Sequence, residues 1–190
     1  MVWIEAHDSK GAAVRFSMRT VLETHRLLSR ELSLGDLDFV AEMLAHPEVM
    51  YYWPKCYSRQ EAADWIKRQQ ARYARDGVGY WLAVEKQSLR PIGQAGLLAL
   101  HVDGVEELAL GYIIHRPFWR MGYATEASVG SRNYGFEKLG RSRVIALIRP
   151  ENAPSQGVAR KLGMTLEKQT HHADYVHLVF VARNPTSATV

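Results

Sequence analysis

The sequence contains little cysteine and no long apolar run, and both absences limit what the protein can be. Cys56 is the only cysteine among 190 residues, which excludes an internal disulfide and suits a reducing compartment. No stretch approaches the roughly 20 apolar residues of a membrane-spanning helix. The first residues also lack the apolar core of a secretory signal. We therefore expect a cytoplasmic protein without a membrane partner.

Charge of one sign is not concentrated anywhere in the chain. Lys and Arg number 24 against 20 Asp and Glu, a mild excess that suits an anionic small molecule at least as well as a nucleic acid. Because the positive charge is dispersed, a nucleic-acid partner is not expected. No repeat or low-complexity linker divides the sequence. We expect a single domain over residues 1–190, with an extension over 1–20 and a flexible tail over 184–190.

Apolar periodicity and turn signals predict an alternation of strands and helices. A first strand is expected over Leu22–Arg30, followed by two helices that open with a Ser and an acidic residue three positions later, at Ser33 and at Ser58. Three strands, a helix, a strand, a helix and two strands then follow. Their predicted ranges are Tyr80–Glu85, Ile92–His101, Glu106–His115, Gly122–Lys138, Arg143–Ile148, Pro154–Leu162, Thr165–Gln169 and Tyr175–Val181.

The order strand, helix, strand over residues 106–148 predicts a crossover unit whose two strands are parallel. The remaining strands form hairpins and a meander. The expected fold class is therefore mixed α/β, of the α+β kind. It has a mostly antiparallel sheet of about seven strands, a central parallel strand pair and about four helices.

The segment RPFWRMGYATEA, residues 116–127, joins the central strand to the crossover helix and has the features of a phosphate-binding turn. Gly122 and Ala124 are small where the chain must turn sharply. Main-chain N–H groups at a helix start point outward, and the helix dipole adds about half a positive charge there. The segment predicts a pyrophosphate site, with an ordinary strand-to-helix turn as the alternative. The glycine motifs of nucleoside triphosphate and dinucleotide sites are absent.

The end of the parallel partner strand supplies a second group of polar residues. Asn152 offers an amide at the carboxyl end of the strand, and Ser155 adds a hydroxyl in the first turn of the next helix. Both face the crevice in which α/β sheets bind ligands. The alternative is that Asn152 ends the strand and Ser155 assists in capping the helix.

Two runs in this order, WRMGYATEA and NAPSQGVARKLGM, resemble the GNAT acetyltransferases, in particular the branch of ribosomal-protein alanine acetyltransferases. THRLLSR and HPEVM near the front are similar to the same branch, so the resemblance covers roughly residues 22–181. It implies a GNAT-like fold and an acetyl-CoA-dependent N-acetyltransferase. Such an enzyme transfers an acetyl group to a primary amine, on a small molecule or a peptide N-terminus, by direct attack in a ternary complex.

The resemblance also implies where acetyl-CoA binds, as a co-substrate and without a metal. The cofactor would lie in a V-shaped opening between the strands around Ile113 and Ile148, with its pantetheine paired to the main chain of residues 113–115. Its pyrophosphate would meet the amides of residues 120–125. The residues expected to bind it are Ile113, Ile114, His115, Trp119, Arg120, Met121, Gly122, Tyr123, Ala124, Thr125, Asn152, Ser155 and Lys161.

Two residues carry the catalytic expectations. Ser155 is the candidate for protonating the leaving thiolate, with a tyrosine as the alternative. Many relatives carry an acidic residue two positions before the Gly-Tyr pair of the central strand, where this chain has Ala109. Glu107 is the nearest carboxylate on the same strand face, and it either acts through a water or is a solvated strand residue. The missing carboxylate leads us to expect a weakly basic acceptor, such as a protein α-amine.

The loss of that carboxylate also allows a different class of function, a catalytically silent acyl-CoA-binding or interaction module of the same fold. Exposed aromatic residues such as Trp3 or Trp53 would permit a homodimer. The aromatic run over residues 50–54 either lines an acceptor pocket or belongs to the core, and core is favoured. No metal is expected, because the spacing of four polar residues fits a polar hairpin or substrate wall better than a zinc site. These are His171, His172, Asp174 and His177.

Overall fold

The computed structural model describes residues 2–7, 13–18 and 20–188, with side chains from residue 20 to residue 186. In these residues ten strands form two sheets, with β1 and β2 paired in one and the order β3-β4-β5-β6-β7-β8-β10-β9 in the other. The strands are β1 (Val2–His7), β2 (Ala13–Met18), β3 (Thr20–Glu23), β4 (Leu27–Arg30), β5 (Tyr80–Glu85), β6 (Pro91–Val102), β7 (Val105–Ile114), β8 (Arg143–Ile148), β9 (Thr165–His172) and β10 (Tyr175–Arg183).

The large sheet confirms the predicted architecture. β7 and β8 are parallel, and every other neighbouring pair in that sheet is antiparallel. The sheet has eight strands rather than about seven because the predicted strand over Leu22–Arg30 turns back on itself. The Thr24 N–H donates to the carbonyl of Leu27 at 2.8 Å, which closes the turn between β3 and β4.

Four α-helices accompany the sheet, and their caps follow the sequence signals. At the start of the second helix, the Glu61 N–H donates to Ser58 Oγ at 3.3 Å, and the Ser58 N–H donates to the Glu61 carboxylate at 2.8 Å. This reciprocal pair satisfies two main-chain donors that a helix start leaves free. The helices are α1 (Leu37–Ala45), α2 (Arg59–Asp76), α3 (Tyr123–Glu137) and α4 (Ala153–Lys161).

Both ends of the chain contain short elements outside the main predicted fold. Residues 1–20, expected to form an extension, contain the β1–β2 pair. The tail forms a short 3₁₀ turn over Pro185–Ala188, because the Asn184 side chain accepts hydrogen bonds from both the N–H and the hydroxyl of Thr186. No helix in the described residues is long and apolar enough to cross a bilayer.

The helices cover opposite faces of the sheet. Along β5, Leu82 packs with α1 and α2, whereas its neighbour Trp81 packs with α3 and α4. Successive strand residues point to opposite faces, so each strand contributes to both cores. Fully burying a side chain such as Leu82 stabilises the fold by about 1.5–3 kcal/mol. The two cores therefore fix the position of β7, which lies between them.

Tyr80 crosses the sheet from β5 to β7. It pairs with Gly96 on β6, which in turn pairs with Gly111 on β7, so its phenol lies over two strands without side chains at those positions. A Cβ built on Gly111 would lie 2.9 Å from Tyr80 Cζ and closer still to the hydroxyl oxygen. Burial raises the pKa of Tyr80 to about 12, so the phenol is protonated at neutral pH. Position 111 therefore requires glycine, because a side chain there would overlap the phenol of Tyr80.

We expect Gly111→Ala to lower the free energy of unfolding by about 1–3 kcal/mol, because the added methyl group must displace the phenol of Tyr80. Urea denaturation measures this loss. Gly157→Ala in α4 is the matched control, since its Cβ would meet open space. That control is expected to be neutral or to stabilise by up to about 1 kcal/mol. Equal effects of the two substitutions would contradict the packing described for Tyr80.

Candidate functional site

The large sheet opens between its two parallel strands. β7 and β8 are paired at one position, Ala109 with Ile145. Beyond that position β7 continues to Ile114 in register with β6, and β8 continues to Ile148 in register with β10. Each strand is thus held on its outer edge while the two inner edges are not paired with each other. The result is an opening at the carboxyl ends of β7 and β8, where α/β sheets bind ligands.

Hydrogen bonds show which main-chain groups of β7 face this opening. The N–H of His115 donates to the carbonyl of Ile92 on β6 at 2.9 Å. Because main-chain groups alternate along a strand, those of Ile113 also point to β6, whereas those of Tyr112 and Ile114 point toward β8. The main-chain groups of Ile113 and His115, which were expected to pair with pantetheine, thus point to β6. The groups that remain for a ligand belong to Tyr112 and Ile114.

Trp119 covers part of the same edge. Its indole N–H donates to the carbonyl of Ile114 at 2.7 Å, so that carbonyl already has a partner. The Arg116 guanidinium lies 4.9 Å from the centre of the indole ring, a cation–π contact that holds the ring in place. The main-chain groups left facing the opening are the N–H and carbonyl of Tyr112 and the N–H of Ile114.

The loop before α3 has an unusual backbone. Arg120 has a φ of 61° and Gly122 a φ of 83°, and Met121 lies between them outside the left-handed region. Alternation between right- and left-handed residues turns successive N–H groups into one concave surface, which is a common anion-binding arrangement. A left-handed conformation at Arg120 costs about 1–2 kcal/mol, so the loop keeps its shape against a local preference.

The donors of this loop are free and accessible. Within the described chain, the N–H groups of Arg120–Thr125 donate no hydrogen bond, and no side chain caps α3. Arg120, Met121 and Gly122 are exposed, while Tyr123 is buried and Ala124 and Thr125 are half-buried. Unpaired donors at the positive end of a 15-residue helix attract an anion.

Three side chains meet at the β8 side of the opening. The Asn152 carboxamide oxygen accepts from the Ser155 N–H at 3.1 Å and caps α4. The Tyr112 hydroxyl donates to Ser155 Oγ at 3.1 Å. Burial raises the pKa of Tyr112 above its ordinary value, and the hydrogen bond to Ser155 offsets part of that rise. A protonated phenol therefore supports the serine hydroxyl, whose own hydrogen is left to donate elsewhere.

Glu107 lies away from this group. Its carboxylate is 3.0 Å from the Arg143 guanidinium, and its side chain is 12% exposed. Glu107 precedes the paired position at Ala109, whereas Tyr112 follows it, so the two lie about 16 Å apart along the strand at ~3.3 Å per residue. The structure does not support Glu107 as a catalytic carboxylate, because an arginine holds it at the opposite end of β7.

The His115 imidazole is packed against α1 instead of facing the loop. Its Nε2 lies 3.3 Å from a Glu42 carboxylate oxygen, and the Phe39 ring meets it edge-on at 5.7 Å. Lys161 is exposed on the last turn of α4, and the carbonyl of the next residue, Leu162, accepts from Arg132 in α3 at 2.6 Å. Arg132 is about 15 Å along α3 from the phosphate loop. Lys161 lies beside this end of α3, so it could reach only the far end of a long ligand.

The aromatic run over residues 50–54 lies partly in the core and partly at the surface. Met50 is buried and Trp53 packs on Trp65 at 5.7 Å, which fits the core interpretation, while Tyr51 is exposed.

At the β9–β10 turn the rings of His172 and His177 lie 6.2 Å apart, and burial lowers the pKa of His177. In the described part of the chain, no three His, Cys, Asp or Glu side chains come together as a metal site would require.

Sequence reasoning missed three residues at this site. Tyr112 belongs to the Gly-Tyr pair of the central strand, and its position beside an unpaired edge follows from the strand register. Tyr80 and Arg26 reach the site across 31 and about 95 residues, from β5 and from the β3–β4 turn. No local pattern indicates contacts over such separations.

Comparisons of the sequence agree with one another. The family model described as Acetyltransferase (GNAT) domain matches residues 26–165. The uncharacterised protein YkkB of Bacillus subtilis (strain 168) is 30% identical over 151 residues, which covers 79% of this chain and 88% of that protein. The uncharacterised N-acetyltransferase YnaD of the same organism is 27% identical over 147 residues, 77% of this chain and 83% of that protein.

Solved structures share the fold. An acetyltransferase from Agrobacterium tumefaciens str. C58 superposes with a TM-score of 0.75 at 25% identity, covering 90% of this chain and 98% of that one. RimL, described as a ribosomal L7/L12 alpha-N-protein acetyltransferase in complex with coenzyme A, superposes with a TM-score of 0.72 at 14% identity, over 87% and 98% of the two chains. The chain therefore belongs to the GNAT family of acetyltransferases and is an acetyl-CoA-dependent enzyme.

Proposed function

We propose that the enzyme transfers the acetyl group of acetyl-CoA to a protein N-terminal α-amine, by direct attack within a ternary complex. The observation that carries this proposal is the loop of outward-facing, unpaired N–H groups at Arg120–Thr125, which adjoins the opening between β7 and β8. The likeness in fold to RimL, described as an alpha-N-protein acetyltransferase bound to coenzyme A, supports both the donor and the class of acceptor.

The donor binds along the opening. Its diphosphate takes the N–H groups of the loop, where the dipole of α3 and the concave backbone favour negative charge. Its pantetheine amides replace the missing strand by pairing with the main chain of Tyr112 and Ile114. Since these two residues face the opening, one of their N–H groups polarises the thioester carbonyl and stabilises the oxyanion that forms on attack.

The leaving group takes its proton from Ser155. As the tetrahedral intermediate collapses, the carbon–sulfur bond breaks and the electron pair passes to sulfur, which accepts the hydroxyl hydrogen of Ser155. Tyr112 donates to Ser155 Oγ and replaces that proton. The raised pKa of Tyr112 keeps the phenol protonated at neutral pH. The attacking nitrogen, positively charged in the tetrahedral intermediate, releases a proton to solvent as the amide forms. Sulfur leaves as a thiol, and Tyr112 regains a proton from solvent before the next turnover.

The acceptor amine must arrive largely deprotonated. Ala109 stands at the position where relatives often carry an acid, it is 3% exposed, and Glu107 is bound to Arg143. A protein α-amine has a pKa of about 7.7–8.0 against about 10.4 for lysine. At pH 7 the unprotonated fraction of an α-amine is therefore about a few hundred times larger. A site without a carboxylate base suits that amine.

We also propose that the residues of the eight-stranded sheet and its helices act as one acetyltransferase domain, because one sheet joins the first strand of that region to the last. A catalytically silent acyl-CoA-binding module of the same fold is the competing function. Release of free thiol from acetyl-CoA with a panel of amines separates the two. Coenzyme A binding without turnover on any acceptor would favour the module.

We expect Gly122→Val to weaken coenzyme A binding at least tenfold, because a β-branched residue cannot hold a φ of 83° and its side chain would enter the concave loop. Isothermal titration with coenzyme A measures the dissociation constant. Gly140→Val is the matched control, since Gly140 has a φ of 63° just after α3 and a Cβ there would meet open space. If both variants bind coenzyme A like the wild type, the phosphate site is wrong.

We expect Ser155→Ala and Tyr112→Phe each to lower kcat by about 10- to 100-fold, in the range of lost acid catalysis, with little change in the KM for acetyl-CoA. Because Tyr112 acts through Ser155, the double variant should be no slower than Ser155→Ala alone. Steady-state kinetics with a saturating acceptor check both points. Multiplied losses in the double variant would show that the two hydroxyls act separately.

We expect a peptide with a free α-amine to be acetylated more than about 100-fold faster, in kcat/KM at pH 7, than an N-blocked peptide with one lysine. The rate with lysine should climb about tenfold per pH unit toward pH 10, whereas the rate with the α-amine should level off near pH 8. A pH series with both peptides measures this. Comparable rates at pH 7 would reveal an effective base and contradict the proposed acceptor.

A further inference from the structure

Arg26 reaches the phosphate loop from the turn between β3 and β4. Its Nε donates to a Glu126 carboxylate oxygen at 2.6 Å, and its Nη1 donates to the carbonyl of Met121 at 3.0 Å. Its guanidinium carbon lies 4.4 Å from the centre of the Tyr123 ring. One guanidinium thus touches the loop before α3, the first residue of α3 and the acidic residue of its first turn.

The third guanidinium nitrogen of Arg26, Nη2, is available to a ligand. Nη2 donates to no protein group in residues 20–186, and a Cβ built on Gly122 would lie 3.3 Å from it. Its two N–H bonds are therefore beside the residue at which the loop enters α3. Arg26 is 38% exposed in its side chain, so an anion from solvent can reach it.

The turn that carries Arg26 is fixed from two directions. The main-chain N–H of Arg26 donates to the Oε1 atom of Glu126 at 2.6 Å, and the Thr24 hydroxyl donates to the same oxygen at 2.6 Å. Its main-chain carbonyl accepts from the N–H of Lys86 at 2.8 Å. Such a bonded turn presents the guanidinium in one position and limits the entropy lost when a ligand binds.

The charge of Glu126 explains why a cation is needed here. Burial raises the pKa of Glu126, but the hydrogen bonds from Thr24 and Arg26 outweigh that effect and leave it below its ordinary value. The carboxylate is therefore ionised at neutral pH, in the first turn of the helix whose N-terminus faces the proposed anion site. Without Arg26, this negative charge would repel a diphosphate.

We propose that Arg26 is a positioning residue for the cofactor diphosphate. It holds the Met121 carbonyl so that the neighbouring N–H groups face outward, it neutralises Glu126, and it offers Nη2 to a diphosphate oxygen. The inference rests on the proposed function of the loop and adds a residue from a distant part of the chain. A merely structural role of the Arg26–Glu126 pair is the alternative.

The experiment compares two acetyl donors with the full-length Arg26→Gln variant. Acetyl-CoA carries the diphosphate, and S-acetylpantetheine lacks it. We expect kcat/KM for acetyl-CoA to fall about 10- to 100-fold through KM, in the range of a lost charge-assisted contact, with kcat/KM for S-acetylpantetheine unchanged. Arg26→Lys should lower kcat/KM for acetyl-CoA by a smaller factor, because lysine keeps the positive charge but cannot make three directed contacts. Arg75→Gln, which removes an exposed pair with Asp76, is the control and should change neither donor.

A second substitution separates charge from structure. If unpaired Glu126 repels the diphosphate, the double variant Arg26→Gln/Glu126→Gln should bind coenzyme A more tightly than Arg26→Gln alone. Equal losses with both donors, or no loss with either, would overturn the proposal in favour of a structural anchor. If Arg26→Gln does not fold, Arg26→Lys carries the same comparison. Wild-type protein that does not bind coenzyme A would instead refute the proposed function.

Discussion

The separation of β7 from β8 after one paired position is the constraint on which the site depends. The main-chain groups of a strand in a sheet normally pair with both neighbours, but one edge of β7 has no paired strand beyond Leu110. Unpaired N–H and carbonyl groups are costly unless water or a ligand takes them. The opening is therefore a place where an extended, amide-containing molecule can replace the missing strand.

The two faces of β7 give this opening two different sides. Tyr80 lies over Gly111 on the face of α1 and α2, and Tyr112 reaches Ser155 on the face of α3 and α4. Both phenols have raised pKa values because burial disfavours the phenolate, so both remain protonated donors at neutral pH. Gly111 makes room for the phenol of Tyr80 on one face of β7, and Tyr112 contacts Ser155 on the other, so adjacent residues serve packing and chemistry.

Local signals in the sequence predicted most of the fold, since caps and turns depend on residues close in the chain. The β5 and β8 ranges match the predicted strands, and the Asp103-Gly104 turn has the two positive φ values, 51° and 78°, of a two-residue hairpin. That hairpin fixes the register of β6 and β7, so the outward groups of β7 could have been assigned from it. The roles of Tyr80 and Arg26 could not, because tertiary packing alone brings them to the site.

Amide hydrogen exchange, resolved by residue with and without coenzyme A, shows whether the cofactor occupies the loop and the open edge of β7. Binding should slow exchange at the loop amides of residues 120–125 and at Tyr112 and Ile114, whose N–H groups face the opening. Ile113 and His115, already bonded to β6, should exchange slowly in both states. Coenzyme A binding that leaves the loop and the open edge of β7 unprotected would contradict the account.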